Sequence, residues 1–142
     1  MIRAISFAFT LAILVIGDAF ATIRIVDDGG GNIGTYYSRF TALRQAGEQV
    51  VIDGNCLSAC TLVVGIVPPD RICVTRNASL GFHAAYRPGA RGEKVVNIPA
   101  TRTLMSLYPP RIRHWIRHNG GLTSQMLYLS GRDLTGMFRH CR

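Results

Sequence analysis

Three consecutive apolar residues, Val50-Val51-Ile52, place the strongest constraint on the fold. A strand buried on one face alternates apolar with polar residues. A strand apolar at every position is buried on both faces, as in a parallel sheet covered by helices. The stretch that follows, IDGNCLSAC (52–60), turns through Gly54 and sets Ser58 between Cys56 and Cys60, ahead of a helix-like apolar run, TLVVGIV. Parallel neighbours need long crossover connections, so the expected unit is a right-handed βαβ.

The rest of the chain reads in units of the same size. Ile23–Val26 alternates weakly, as a strand ending at Asp27-Asp28, and GGGNIG (29–34) is a loop whose glycines permit positive φ. Thr35–Ala46 carries apolar residues at 36, 37, 40 and 43, which is helix spacing, and Gly47 stops it. A helix is expected from Ser58 to about Val67, ended by Pro68-Pro69, with strands at 71–75 (RICVT) and Leu80–His83. RPGARGEK (87–94) reads as a mobile basic loop. Residues 101–108 and 111–118 read as two helices parted by Pro109-Pro110, and Thr123–Leu129 as a last short helical run. The expectation is an α/β domain with a mostly parallel sheet, without repeats, linkers or low-complexity tracts.

The first residues, MIRAISFAFTLAILVIGDAFA, have an early Arg3, an apolar run and a closing Ala19-Phe20-Ala21. That is the layout of a secretory signal peptide cleaved after Ala21. The apolar run, Ala4–Ile16, is shorter than the ~20 residues a membrane span needs. Residues 22–142 then form a single exported domain, periplasmic in a Gram-negative cell. Removing one base and one acid leaves the formal net charge at +8, and Lys94 is the one lysine. Such a surface suits acidic partners and at most peripheral contact with an anionic membrane, although a generally basic solvated surface accounts for it more simply. Nucleic acid is not expected, since no motif for it is present.

Four cysteines (Cys56, Cys60, Cys73, Cys141) in an exported domain suggest two disulfides, with three pairings open. Cys56–Cys60 with Cys73–Cys141 is favoured, because a tight turn brings the first pair within reach. A zinc site lacks a second close ligand pair. Thiol exchange usually uses C-x-x-C rather than the C-x3-C found here.

Active sites of parallel sheets gather at the carboxyl ends of strands. The glycine loop, Ser58 and His83 all fall there. A serine at a strand-to-helix turn exposes its hydroxyl, and the next backbone N–H can donate to an oxyanion. Histidine is the usual base for such a nucleophile. Each residue also has a plainer reading: Ser58 as a helix N-cap, His83 as a half-buried histidine in an apolar context, the glycines as a turn.

GGGNIG, then GNCLSAC, then DRICVTRNASLGFHAAYRPG together resemble the Clp protease proteolytic subunit and the wider Clp-protease/crotonase superfamily. The family's interval from Ser to catalytic His is like the 25 residues from Ser58 to His83. The resemblance implies an N-terminally shortened member of that fold. It implies a serine-type hydrolase, most simply a peptidase, with Ser58 as nucleophile and His83 as general base. Gly30 or Gly31 and the Ala59 N–H would hold the oxyanion, and no cofactor or metal is called for. Coenzyme A thioesters, the substrates of the crotonase branch, are not expected outside the cytoplasm.

The third triad member fits less well. Asp133 lies 50 residues after His83, as the family's acid would, but S-x-x-D at 130–133 is also a helix capping box. In that alignment the family's acid register falls near Met126. A shortened sheet also leaves an edge that a neighbouring chain would cover, so a homo-oligomer is expected. The alternative is a binding or assembly module that kept the fold and lost the chemistry.

Weaker candidates remain. His114, His118, Arg111, Arg113 and Arg117 share one helix, RIRHWIRH, where Ile112, Trp115 and Ile116 would form the buried stripe and the basic residues a solvated face. His140-Cys141 as a metal pair and Asp27-Asp28 as a metal site are thinner readings; a charged rim suits the latter better.

Overall fold

The computed structural model describes residues 21–142, so the expected signal peptide lies outside the described residues except for Ala21. The spine of the fold is strand β2 (Gln49–Leu57). Strand β1 (Thr22–Asp28) runs parallel along one edge of it, from Thr22 opposite Gln49 to Asp28 opposite Cys56. The other edge of β2 is divided. Its first half pairs with β3 (Ile72–Val74), Val50 opposite Ile72. Its second half pairs with β4 (Ser79–Phe82), Leu57 opposite Gly81. A strand with a different partner for each half makes the sheet curl. Val50, Ile52 and Cys56 are fully buried, as the unbroken apolar run requires.

Between β1 and β2 comes α1 (Ile33–Gln45), capped by the Asn32 side chain, which accepts from the Thr35 N–H at 3.1 Å. It buries Phe40 completely, while Tyr36 and Leu43 are half-buried and Tyr37 faces outward. After β2 the chain makes one 3-10 turn, Ser58–Leu62, and one α-turn, α2 (Val63–Ile66). The expected helix is thus two short pieces. Two longer helices complete the cover: α3 (Ile98–Leu107) and α4 (Pro110–His118). Along α4, Ile112 and Ile116 are fully buried and Trp115 packs half-buried against the core, so the apolar stripe forms as its spacing predicts. Phe82 is the hub of an aromatic group, edge-on to Tyr108 at 5.2 Å and tilted against Trp115 at 6.3 Å. Gly65 lets α3 approach: a Cβ there would lie 2.5 Å from the Leu107 carbonyl oxygen.

Four expectations are corrected. Gly54 does not turn the chain; it lies inside β2. Opposite Val26 the register slips, so that Asp53 and Gly54 both face that one residue, and a Cβ on Gly54 would collide with the Val26 carbonyl. The glycine serves a bulge rather than a turn. Residues 87–94 are no open loop, because β5 (Tyr86–Pro88) and β6 (Lys94–Val96) pair as an antiparallel hairpin. The stretch 123–129 is not helical: β7 (Leu127–Ser130) pairs antiparallel with β4. Leu129 is buried between exposed Tyr128 and Ser130, a period of two, and β7 satisfies the backbone groups on the outer edge of β4. The sheet is therefore mixed rather than mostly parallel.

The chain ends with α5 (Gly131–Thr135) and a two-residue strand, β8 (Arg139–His140), parallel to β3. Disulfides join Cys56 to Cys60 and Cys73 to Cys141, the favoured pairing. The second ties β8 to β3. Cys141 is thereby taken out of any metal pair with His140. No helix among the described residues is long and apolar enough to cross a membrane.

Candidate active site

Ser58 follows directly from the end of β2 and adopts φ +56°, the left-handed region that side-chain-bearing residues avoid at a cost of roughly 1–2 kcal/mol. Strain of this kind at a strand-to-helix turn pushes a hydroxyl out of the backbone's shadow. Cys56 and Cys60, both fully buried and bonded to each other, bracket the turn from two residues on either side. A second tie comes from below. The Thr61 hydroxyl donates to the Ser58 carbonyl at 2.6 Å, so the Tyr108 hydroxyl, 2.6 Å away, must be the donor to Thr61. Burial holds the Tyr108 phenol far above its usual titration range. The cap residue of the 3-10 turn is Leu57, so Ser58 is not the N-cap.

The Ser58 hydroxyl meets His83. Oγ lies 2.8 Å from Nε2. His83 leaves the end of β4, and the parallel pairing of β4 with β2 brings it beside Ser58 across 25 residues of sequence. Its other nitrogen, Nδ1, lies 2.6 Å from the Ala84 carbonyl oxygen. A carbonyl can only accept, so the neutral ring carries its proton on Nδ1 and presents a lone pair on Nε2 to the serine. The Ala84 peptide is itself held, its N–H donating to the Thr123 carbonyl at 2.7 Å. The next N–H, of Ala85, donates to the Thr101 hydroxyl at 3.1 Å. Tyr86 stacks on the imidazole, ring centroids 5.6 Å apart.

The glycine loop closes the third side. Gly30 has φ +79°, and a Cβ there would lie 2.7 Å from Ser58 Cβ and 2.8 Å from the Ala59 nitrogen. Glycine is required at 30 on both counts. Its N–H is occupied, donating to Asp28 Oδ1 at 2.9 Å. Asp28 also accepts from the Tyr36 hydroxyl at 2.5 Å and pairs with Arg39 at 3.3 Å. Burial, and then the Asp28 carboxylate, raise the Tyr36 phenol above its ordinary value. Asp28 is therefore a rim residue that braces the loop against α1. Gly31, by contrast, lines an open cavity of about 370 Å³ together with Asn32, Ser58, Ala59, His83 and Leu104. The Ala59 N–H belongs to the first turn of the 3-10 segment, where no intrahelical acceptor exists.

Asp133 is elsewhere. It lies on α5 and lines a different groove, shared with His114, His118 and Trp115 of α4. The capping box does not form either, since the Ser130 side chain makes no cap hydrogen bond. What passes near His83 is Met126, which borders a smaller cavity of about 220 Å³ with His83, Tyr86, Lys94 and Ser124. Of the α4 basic residues, Arg111, His114, Arg117 and His118 are exposed, and Arg113 is half-buried. Sequence reading missed Tyr86, Thr61, Tyr108 and the Ala84 carbonyl. For Thr61 there was a signal, a hydroxyl three residues after Ser58; the backbone carbonyl has none.

No family model matches the sequence, and no curated protein matches it. Solved structures resemble it. ClpP1 of Listeria monocytogenes, as its N165D mutant, aligns with 82% of this chain and 68% of its own at 14% identity and a TM-score of 0.48. A peptidase from Plasmodium falciparum aligns with 87% of this chain and 79% of its own at 8% identity and a TM-score of 0.54. At 8% identity the likeness to the Plasmodium peptidase is one of fold alone: a curled mixed sheet with helices.

Proposed function

We propose that the protein is an exported serine-type hydrolase acting on peptide bonds. One feature supports this above the others: a left-handed serine whose Oγ lies 2.8 Å from a histidine Nε2, at the wall of a cavity. Ser58 attacks the scissile carbonyl carbon while His83 Nε2 takes its proton. The tetrahedral oxyanion faces the N–H groups of Ala59 and Gly31, Gly30 being engaged with Asp28. Nε2 returns the proton to the amine as the C–N bond breaks. Water, deprotonated by the same nitrogen, then hydrolyses the acyl-serine.

The Ala84 carbonyl keeps the correct tautomer, as an acid would, but offers only a dipole to the imidazolium. A slow enzyme follows. The outer edge of β1 is where a second copy would pair, and two disulfides suit an oxidising compartment such as the periplasm.

Labelling of disulfide-intact protein by a fluorophosphonate tests the reading. Labelling lost in both Ser58→Ala and His83→Ala is the expected result. Unlabelled, folded wild type would instead favour a binding module on the same fold, a reading that the distant placement of Asp133 supports.

A further inference from the structure

Behind the general base is a space with the wrong contents for a hydrophobic void. The cavity of about 220 Å³ borders His83 and Ala84 but not Ser58, so it lies off the ring side away from the nucleophile. Its walls include Tyr86, Val96 and Met126, together with two polar residues, Ser124 and Lys94, on an open rim where Tyr86, Lys94, Val96 and Ser124 are all exposed. Among the described residues that line it, Lys94 is the one Lys, Arg, Asp or Glu, and none carries a carboxylate. The ammonium sits 4.6 Å from the centroid of the Tyr86 ring, which itself stacks on His83. A cation is thus parked one ring away from the imidazole that must become positive during the reaction.

The geometry points to a carboxylate-binding site here, one whose occupant completes the catalytic group. The inference rests on His83 being the general base. A carboxylate in this cavity pairs with Lys94, accepts from Ser124, and draws the Nδ1 proton's hydrogen bond from the Ala84 carbonyl. The neutral partner of the imidazole is replaced by a charged one without change of tautomer, and the Lys94 charge is neutralised in the same step. No bond is made or broken. The volume suffices for a group the size of acetate with a water or two, each water needing about 30 Å³. The carboxylate comes either from a small acid in solution or from an acidic group on the substrate itself.

Sodium acetate, titrated at constant ionic strength against sodium chloride, is the probe. The first readout is the rate of Ser58 phosphonylation by a fluorophosphonate that carries no carboxylate. Saturating acetate should raise it about tenfold, the difference between a charged and a neutral hydrogen-bond partner, and Lys94→Met and Lys94→Gln should abolish the response. The second readout is the ¹⁵Nδ1 resonance of His83, which acetate should move in wild type and leave unmoved in both Lys94 variants. An unmoved His83 resonance overturns the inference, whether or not Ser58 reacts. Labelling that is present but indifferent to acetate also overturns it, while leaving the hydrolase reading intact. Absent labelling with a moving resonance keeps the carboxylate site and removes the hydrolase. Peptides differing only in Asp or Asn beyond the scissile bond separate the sources. A preference for Asp that Lys94→Met removes assigns the acid to the substrate.

Discussion

Replacing Gly30 by alanine tests whether the glycine loop is built around Ser58. Two costs can be worked out separately. At φ +79° a Cβ-bearing residue loses roughly 1–2 kcal/mol on backbone grounds alone. The new methyl would also press on the Leu57 carbonyl, on Ser58 Cβ at 2.7 Å and on the Ala59 nitrogen at 2.8 Å. All three belong to a turn clamped by the Cys56–Cys60 disulfide, so relief must come from the loop, at about 1–3 kcal/mol more. Gly92 supplies the reference, because its φ is +81° and nothing lies within 4 Å of its Cβ direction. Thermal unfolding followed by circular dichroism should lower the Tm of Gly92→Ala by about 5 °C and that of Gly30→Ala by about 10 °C or more. Gly30→Ala should also lose fluorophosphonate labelling. Equal losses in the two variants would refute the contact argument, and a fully stable, fully labelled Gly30→Ala would refute the placement of the loop.

Three further perturbations have definite expectations. Thr61→Val should cost more than Tyr108→Phe, about 2 against about 1 kcal/mol in denaturant unfolding, because the first strands a buried phenol while the second leaves the Thr61 donor on Ser58. Removing the Cys73–Cys141 bridge, which spans 68 residues, should cost about 4 kcal/mol, and removing Cys56–Cys60, which spans 4, about 2 kcal/mol. The short bridge should nevertheless matter more to Ser58 reactivity. Asp53 accepts from Thr75 at 2.6 Å and from Arg24 and Asn77, and these hold its carboxyl below its ordinary value of 3.8. Its contribution is present above that value and is lost as pH falls through the lower folded one. Asp53→Asn should therefore flatten the acid limb of the stability profile by lowering stability at neutral pH while leaving it nearly unchanged at the acid end, below the folded value.

The residues of the site were legible because each advertises a local need. Gly30 must be glycine where φ is positive, Ser58 follows a strand whose first half is an apolar run, and His83 follows another strand. Four cysteines in one small domain announced two bridges. The apolar stripe of α4 was equally plain, since Ile112 and Ile116 recur at the helical period. Local chemistry of this kind depends on a few neighbouring residues and survives in a linear reading.

What the sequence by itself determined, then, was the alphabet of the site and the order of its parts. The tertiary structure decided how they connect, because those connections are set by pairing across long intervals. β7 is extended, not helical, because the outer edge of β4 needed backbone partners. Gly54 serves a bulge because β1 lies against it, and nothing within nine residues of β2 says so. Asp133, at a suitable interval from His83, went to the α4–α5 groove, while an unremarked main-chain carbonyl of Ala84 accepts the imidazole's hydrogen bond. A carbonyl is common to every residue and carries no sequence mark; only the path of the chain around His83 could select it.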